Sequence, residues 1–298
     1  MYEQTDQTRF ARIRHALEQA AVAPGWRGHA FEFAMFGFKQ GWACLFGGLM
    51  LALLLGTHLF YPATAPLHRY DFLTLCALAI QIGMIVLRLE TWREVAVIAI
   101  FHIVGTVMEL FKTAAGSWIY PESSLLHIGP VPLFSGFMYA AVGSYIARVW
   151  RIFDFRFTAY PPRWTSFALA SAIYINFFAH HWLPDIRIAL FVIIALLFGR
   201  CHIWFRPLHR HRAMPLLLGW LLVALFIWFA ENIGTFANAW TYPDQARGWH
   251  MVSPMKMGAW YLLMIVSFVL VSLVSPIRPP ETEPRPSSAP ARRSSPES

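Results

Sequence analysis

Eight apolar runs separated by short polar or basic loops dominate this sequence, at roughly 41–60, 70–87, 94–111, 131–150, 164–181, 188–204, 215–234 and 256–275. A bilayer's hydrocarbon core is about 30 Å thick, so an α-helix needs about 20 mostly apolar residues to cross it. The first run, Gly41 to Phe60, is free of charge, while the second and sixth are the shortest. Of all 298 residues 57% are hydrophobic and only 13% charged, where a soluble domain carries nearer 25% charged. The chain is therefore expected to be all-α and integral to a membrane, with about eight transmembrane helices.

The formal net charge of +8 invites a nucleic-acid reading, but the charges sit between the apolar runs. Counting Lys and Arg on alternate sides of an eight-span chain puts 19 on one side and 5 on the other. The 5 are Arg69, Lys112, Arg187, Arg247 and Lys256. The positive-inside rule makes the first side cytoplasmic and leaves both termini there. The expected partner is the lipid bilayer of a bacterial inner membrane rather than nucleic acid. Residues 1–30 are polar and hold no short apolar core, which argues against a cleavable signal peptide. Residues 1–40 read as a cytoplasmic segment with an interfacial helix carrying Phe31, Phe33 and Phe36, and 276–298 as a disordered tail rich in Pro, Ser, Arg and Glu. Cys44, Cys76 and Cys201 fit neither a disulfide framework nor a metal pattern. The basic run from Cys201 to Arg212 matches no zinc motif either and reads as a loop at the headgroup surface.

An internal duplication adds more. The segments 109–139 and 231–261 align without gaps at an offset of 122, with nine identities over 31 positions, where chance would give roughly two or three. Glu109 meets Glu231, Trp118 meets Trp240, Tyr120 meets Tyr242, Gly136 meets Gly258 and Tyr139 meets Tyr261. Upstream, His58 meets His180. The expected organisation is two four-helix repeats, 41–150 and 164–275, joined by a basic cytoplasmic linker, 151–163. An even number of spans per half gives both the same orientation, with a pseudo-two-fold axis along the membrane normal.

The duplication directs attention to two carboxylates inside apolar runs. A charge at the centre of a span costs about 2.5–3.5 kcal/mol, so such residues generally face the bundle interior. Glu109 and Glu231 are expected near the outer ends of the third and seventh helices, with His58 and His180 ending the first and fifth on the same side. His102 shares a helix face with Glu109, seven residues earlier. Three readings stand open. Glu109 pairs with Lys112 one turn on and the other groups only tie helices together. A buried, neutral carboxyl protonates an alkene or carbonyl. Two carboxylates and two imidazoles form a metal site or an ion pathway, although no established metal motif is present. Trp118, Tyr120, Tyr139, Trp240, Tyr242 and Tyr261 are candidates for lining a substrate site, because aromatic faces stabilise cations. Interface anchoring accounts for the same Trp and Tyr. Gly136, Tyr139 and Gly143 form a small-residue face for helix contact.

The segments Leu87–Glu94, Glu109–Glu122, Val131–Trp150 and Ala230–Phe236 resemble a bacterial membrane-protein family catalogued as domain of unknown function 817. The resemblance spans roughly residues 30–275 and implies no activity. Glu109, Gly116, Tyr120 and Val131-Pro132-Leu133 are also similar to a pattern in integral-membrane carotenoid hydratases and heterodimeric lycopene cyclases. The cyclases carry a Glu–Glu pair after that proline, where Leu133, Phe134 and Ser135 stand here. The second resemblance implies acid-catalysed chemistry on a polyisoprenoid. The reading carried forward is a lipid- or isoprenoid-modifying enzyme with Glu109 or Glu231 as general acid and His102, His58 or His180 relaying the proton. A solute or ion transporter and a structural membrane subunit are the alternatives. The sequence names no cofactor, metal or oligomeric state.

Overall fold

The computed structural model describes residues 25–280 except His209. Residues 1–24 and 281–298, which hold most of the expected lead-in segment and tail, lie outside the described residues. The described chain is mostly helical: α1 (Trp26–Ala43), α2 (Leu45–Phe60), α3 (Arg69–Val86), α4 (Trp92–Ala114), α5 (Phe134–Ile152), α6 (Arg163–Ala179), α7 (Arg187–Phe198), α8 (Leu216–Phe236) and α9 (Lys256–Ser272). Three of these, α3, α4 and α8, are long and apolar enough to cross a membrane, or four crossings if α1 and α2 form one bent span.

The structure amends the sequence reading in three places. The first apolar run is split: α1 runs on to Ala43 and closes at Cys44, and α2 leaves at 66°. The sixth run gives only a 12-residue helix, α7. Such a helix is about 18 Å long, short of a full crossing. The all-α expectation also needs correction, because residues 202–205 leave the helix as strand β4 (His202–Phe205), between β3 (Arg156–Thr158) and β5 (Arg212–Pro215) in an antiparallel sheet. A smaller hairpin pairs β1 (His127–Ile128) with β2 (Val131–Pro132) ahead of α5.

Local chemistry sets the helix ends that matter for the site. Thr91 and Glu94 form a capping box that starts α4. Gly116, at φ 69°, ends α4 with bonds from its own N–H to Thr113 and from the Ser117 N–H to Lys112. Asn238, at φ 55°, ends α8 with the same pair of bonds, to Thr235 and Gly234. Both are Schellman closures, which need a residue that tolerates the left-handed region. They lie 122 residues apart, as do the last residues of α4 and α8 and the first residues of α5 and α9.

Helix α5 is central, touching α1, α2, α3, α4 and α9. Its contact with α4 is close because rings lie against bare glycine backbone: His102 on Gly136, Phe101 on Gly143, and Tyr139 on Gly105. This bears out Gly136 and Gly143 as helix-contact positions, and it suits an apolar surrounding, where close packing rather than water exclusion holds helices together. At the end of α5 carrying the basic loops, Arg148 and Glu90 form an ion pair at 2.9 Å with both side chains fully buried. Ser144 and Gln81 also donate to Glu90.

Candidate functional site: two buried carboxylates

Glu109 and Glu231 are both buried, at 4% and 3% exposure. Each sits a little over one turn before the end of its helix, and the loop that follows turns back over it. Glu109 Oε2 accepts hydrogen bonds from Trp118 Nε1 at 2.8 Å and Tyr120 Oη at 2.7 Å, and Oε1 accepts from Tyr139 Oη at 2.7 Å. Glu231 accepts from the Tyr242 hydroxyl and the Trp260 indole. Burial holds the phenols of Tyr120 and Tyr242 well above their ordinary range, so both stay protonated and donate.

The two sites meet. Trp118 packs edge-on against Tyr242 with centroids 6.1 Å apart. Above them Ile119 and Thr241 exchange backbone hydrogen bonds of 3.0 and 2.9 Å as an isolated antiparallel bridge. The bridged residues are themselves 122 apart in the sequence. A donor to one carboxylate thus touches a donor to the other. Below them lies a small apolar cavity of about 40 Å³ between α4, α5, α6, α8 and α9. Tyr139 and Trp260, a donor to each carboxylate, form part of its wall, and Met108 and Met264 line it further along.

Not every expected site residue joins this arrangement. Among the described residues, none of the three histidines hydrogen-bonds either carboxylate. His102 lies against Gly136 and the Phe137 ring. His58 is exposed beside Phe236, on the rim of a separate polar basin of about 420 Å³ that also takes in His68, Arg69 and Glu122. His180 Nδ1 donates to the Asn176 carbonyl oxygen, and its ring lies tilted against that of His181 at 4.3 Å. Tyr261 packs on Phe191, and Trp240 fills the space beside Gly234. Lys112 turns away from Glu109 to His181 Nε2 at 3.2 Å and to the Phe177 ring at 4.1 Å. The Glu109–Lys112 pairing, one of the three readings left open by the sequence, is therefore not formed. No group of three or more His, Cys, Asp or Glu able to hold a metal ion occurs among the described residues.

Three contributors are not marked as such by the sequence. Trp260, rather than Tyr261, is the helix donor to Glu231; it stands one residue off the 122-residue register, and no spacing in the sequence marks it. From sequence Arg69 is only one of the five outer charges. Its guanidinium pairs with Glu122 at 2.8 Å and donates to the carbonyls of Ala237 and Asn238, clamping the α4–α5 loop to the end of α8. Asp71 holds the same loop through the backbone N–H groups of Leu125 and Leu126 and the Ser124 hydroxyl.

With this geometry in view, comparison with known proteins adds the family. The profile described as "Protein of unknown function (DUF817)" matches residues 32–268. The chain belongs to the DUF817 family. It is 40% identical over 247 residues to the uncharacterized protein YoaT of Bacillus subtilis (strain 168), covering 83% of this chain and 93% of YoaT. No solved structure matches it. DUF817 membership brings no activity, so the site has to be read from its own chemistry.

Proposed function

We propose that this chain is an inner-membrane enzyme that modifies a lipid, an isoprenoid chain being the favoured class, with the Glu109–Glu231 pair supplying the acid chemistry. The observation that carries this reading is the apolar cavity walled by Tyr139 and Trp260, each bonded to one of the carboxylates. A lipid enzyme needs an apolar cleft with an acid at its end. A transporter would instead need a polar chamber near the midplane. At about 40 Å³ the cavity takes a short alkyl tip in this conformation. The flexible side chains of Met108 and Met264 are suited to yielding to a longer one.

The membrane topology proposed with it is eight crossings in two four-helix halves, related by a pseudo-two-fold axis along the membrane normal, with both termini cytoplasmic. The matched Schellman closures, the matched helix ends and the reciprocal Ile119–Thr241 bridge support the two-fold relation, since an axis through that bridge makes each residue the other's equivalent. Contacts across the halves also reciprocate: His58 of α2 meets Phe236 of α8, and Phe111 of α4 meets Phe178 of α6. One observation keeps a transporter reading alive, the 66° bend between α1 and α2, because broken helices form transport sites.

An untargeted lipid and pigment profile tests the activity. A strain lacking the gene is compared with strains carrying wild type, Glu109→Gln or Glu231→Gln at equal protein level. The expected result is a lipid species that wild type restores and Glu109→Gln does not. Identical profiles in all strains would remove the lipid reading and favour uptake assays in proteoliposomes.

A further inference from the structure

The two halves differ at one duplicated position beside the carboxylates. Residue 134 begins α5 and residue 256 begins α9, 122 apart. In the first half this is Phe134, whose ring meets Tyr120 edge-on at 6.1 Å. In the second it is Lys256, whose ammonium lies over the ring of Tyr242. Tyr120 donates to Glu109 and Tyr242 to Glu231. One position against the same tyrosine thus carries a benzene ring in one site and a cation in the other.

The groups facing each carboxylate follow the same division. Glu109 meets the uncharged donors Trp118, Tyr120 and Tyr139, and Lys112 on its own helix is turned to His181. Glu231 meets Tyr242 and Trp260, with Lys256 behind Tyr242. The other charge near Lys256 is Asp244, which is well exposed and 3.7 Å from His250. Burying an unbalanced ion is costly, so a buried carboxyl with only uncharged donors around it favours the neutral form, and one with a cation beside it favours the anion.

We propose that the duplicated carboxylates have diverged in charge: Glu109 carries the exchangeable proton, and Glu231 is an anion balanced by Lys256. The donor set places that proton. The Trp118 indole can only donate, and it and Tyr120 both serve Oε2, so the proton belongs on Oε1. With Oε1 protonated, the 2.7 Å pair between Oε1 and Tyr139 Oη reverses its sense: Oε1–H donates to Oη, and the Tyr139 hydroxyl is free to donate to a group in the cavity. When Tyr139 gives up its proton there, the Oε1–H bond breaks as a new Oη–H bond forms. Glu109 is left as a carboxylate accepting all three bonds. Lys256 is on this account a positioning residue that keeps Glu231 ionised.

The assignment deepens the proposed acid chemistry and rests on it for its purpose, but its test reads protonation rather than turnover. A lipid profile can fail while the assignment stands, and the reverse. Infrared spectroscopy of the purified full-length protein at neutral pH is expected to show one protonated-carboxyl C=O band. Glu109→Gln should remove it and Glu231→Gln should keep it. Lys256→Met should add a second band that disappears in Lys256→Met/Glu231→Gln, and Lys256→Arg should restore the single band. A band that survives Glu109→Gln, or is lost in Glu231→Gln, overturns the proposal. Should Glu109→Gln fail to fold, dicyclohexylcarbodiimide on wild-type protein decides, since it attacks protonated carboxyls in apolar surroundings. Mass spectrometry should find the adduct on Glu109, and an adduct on Glu231 or on neither overturns the proposal.

Discussion

At the scale of single residues, the site depends on the side chains that hydrogen-bond the two carboxylates. Tyr139 lies against Gly105, where an added Cβ would stand 2.5 Å from its ring. Gly105→Ala should therefore push the phenol off Glu109 and destabilise the protein by roughly 1–3 kcal/mol, the usual cost of overpacking. Tyr139→Phe removes the hydrogen-bond partner of Glu109 Oε1 without crowding and should cost about 1–3 kcal/mol by leaving that buried oxygen unpaired. Thermal melting in detergent checks both, and Gly105→Ala melting with wild type would mean Tyr139 is not fixed there. Arg148 and Glu90 are coupled more tightly still. Arg148→Met should cost about 3–5 kcal/mol by stranding a buried carboxylate, and Arg148→Met/Glu90→Leu should recover much of the loss. A double variant as unstable as the single one would contradict the pairing.

At the scale of elements, hydropathy located the helices but not where they break. The split at Cys44 falls inside a charge-free run with neither Gly nor Pro at the break, the residues that usually mark one. His202–Phe205 reads equally as helix or strand, because a short apolar run has no distinguishing period. Pairing with β3 and β5 decides it as a strand. The gapless match of 109–139 with 231–261 made Glu109, Glu231, Tyr120 and Tyr242 legible, since each glutamate bonds the tyrosine eleven residues on. The same match misdirected at Tyr261, because the helix donor to Glu231 is one residue earlier, at Trp260. The histidines looked central only because helix ends on one side look close when the bundle's cross-section is unknown. Beside the small sheet, Asp154 gathers Arg156, Arg206 and His211. Burial pushes its carboxyl up, but the Arg156 hydrogen bond and the surrounding cations outweigh this and hold it below the ordinary carboxylate value. A depressed acid contributes stability above its unfolded value, near pH 4, that is lost as pH falls through the folded value. Melting between pH 7 and pH 3 should fall more steeply for wild type than for Asp154→Asn, and equal slopes would contradict the role.

At the scale of the whole molecule, the account requires Arg69, Glu122 and the carboxylate site to lie on the side opposite the basic loops and the β3–β5 sheet. Single cysteines introduced at Ser123 and at Arg210, in a chain otherwise free of cysteine, test this in intact cells. A membrane-impermeant maleimide should label the first and spare the second. The reverse pattern would invert the topology, and labelling of neither or both would reject the eight-crossing arrangement. The central claim is that the paired carboxylates deliver a proton to a lipid. Its most direct test is to place the purified protein in nanodiscs made from the lipids of a strain lacking the gene and incubate them in heavy water. Mass spectrometry then follows carbon-bound deuterium. Wild type should place deuterium in one lipid species and Glu109→Gln should not. No carbon-bound label with wild type, or equal label with Glu109→Gln, would contradict the claim.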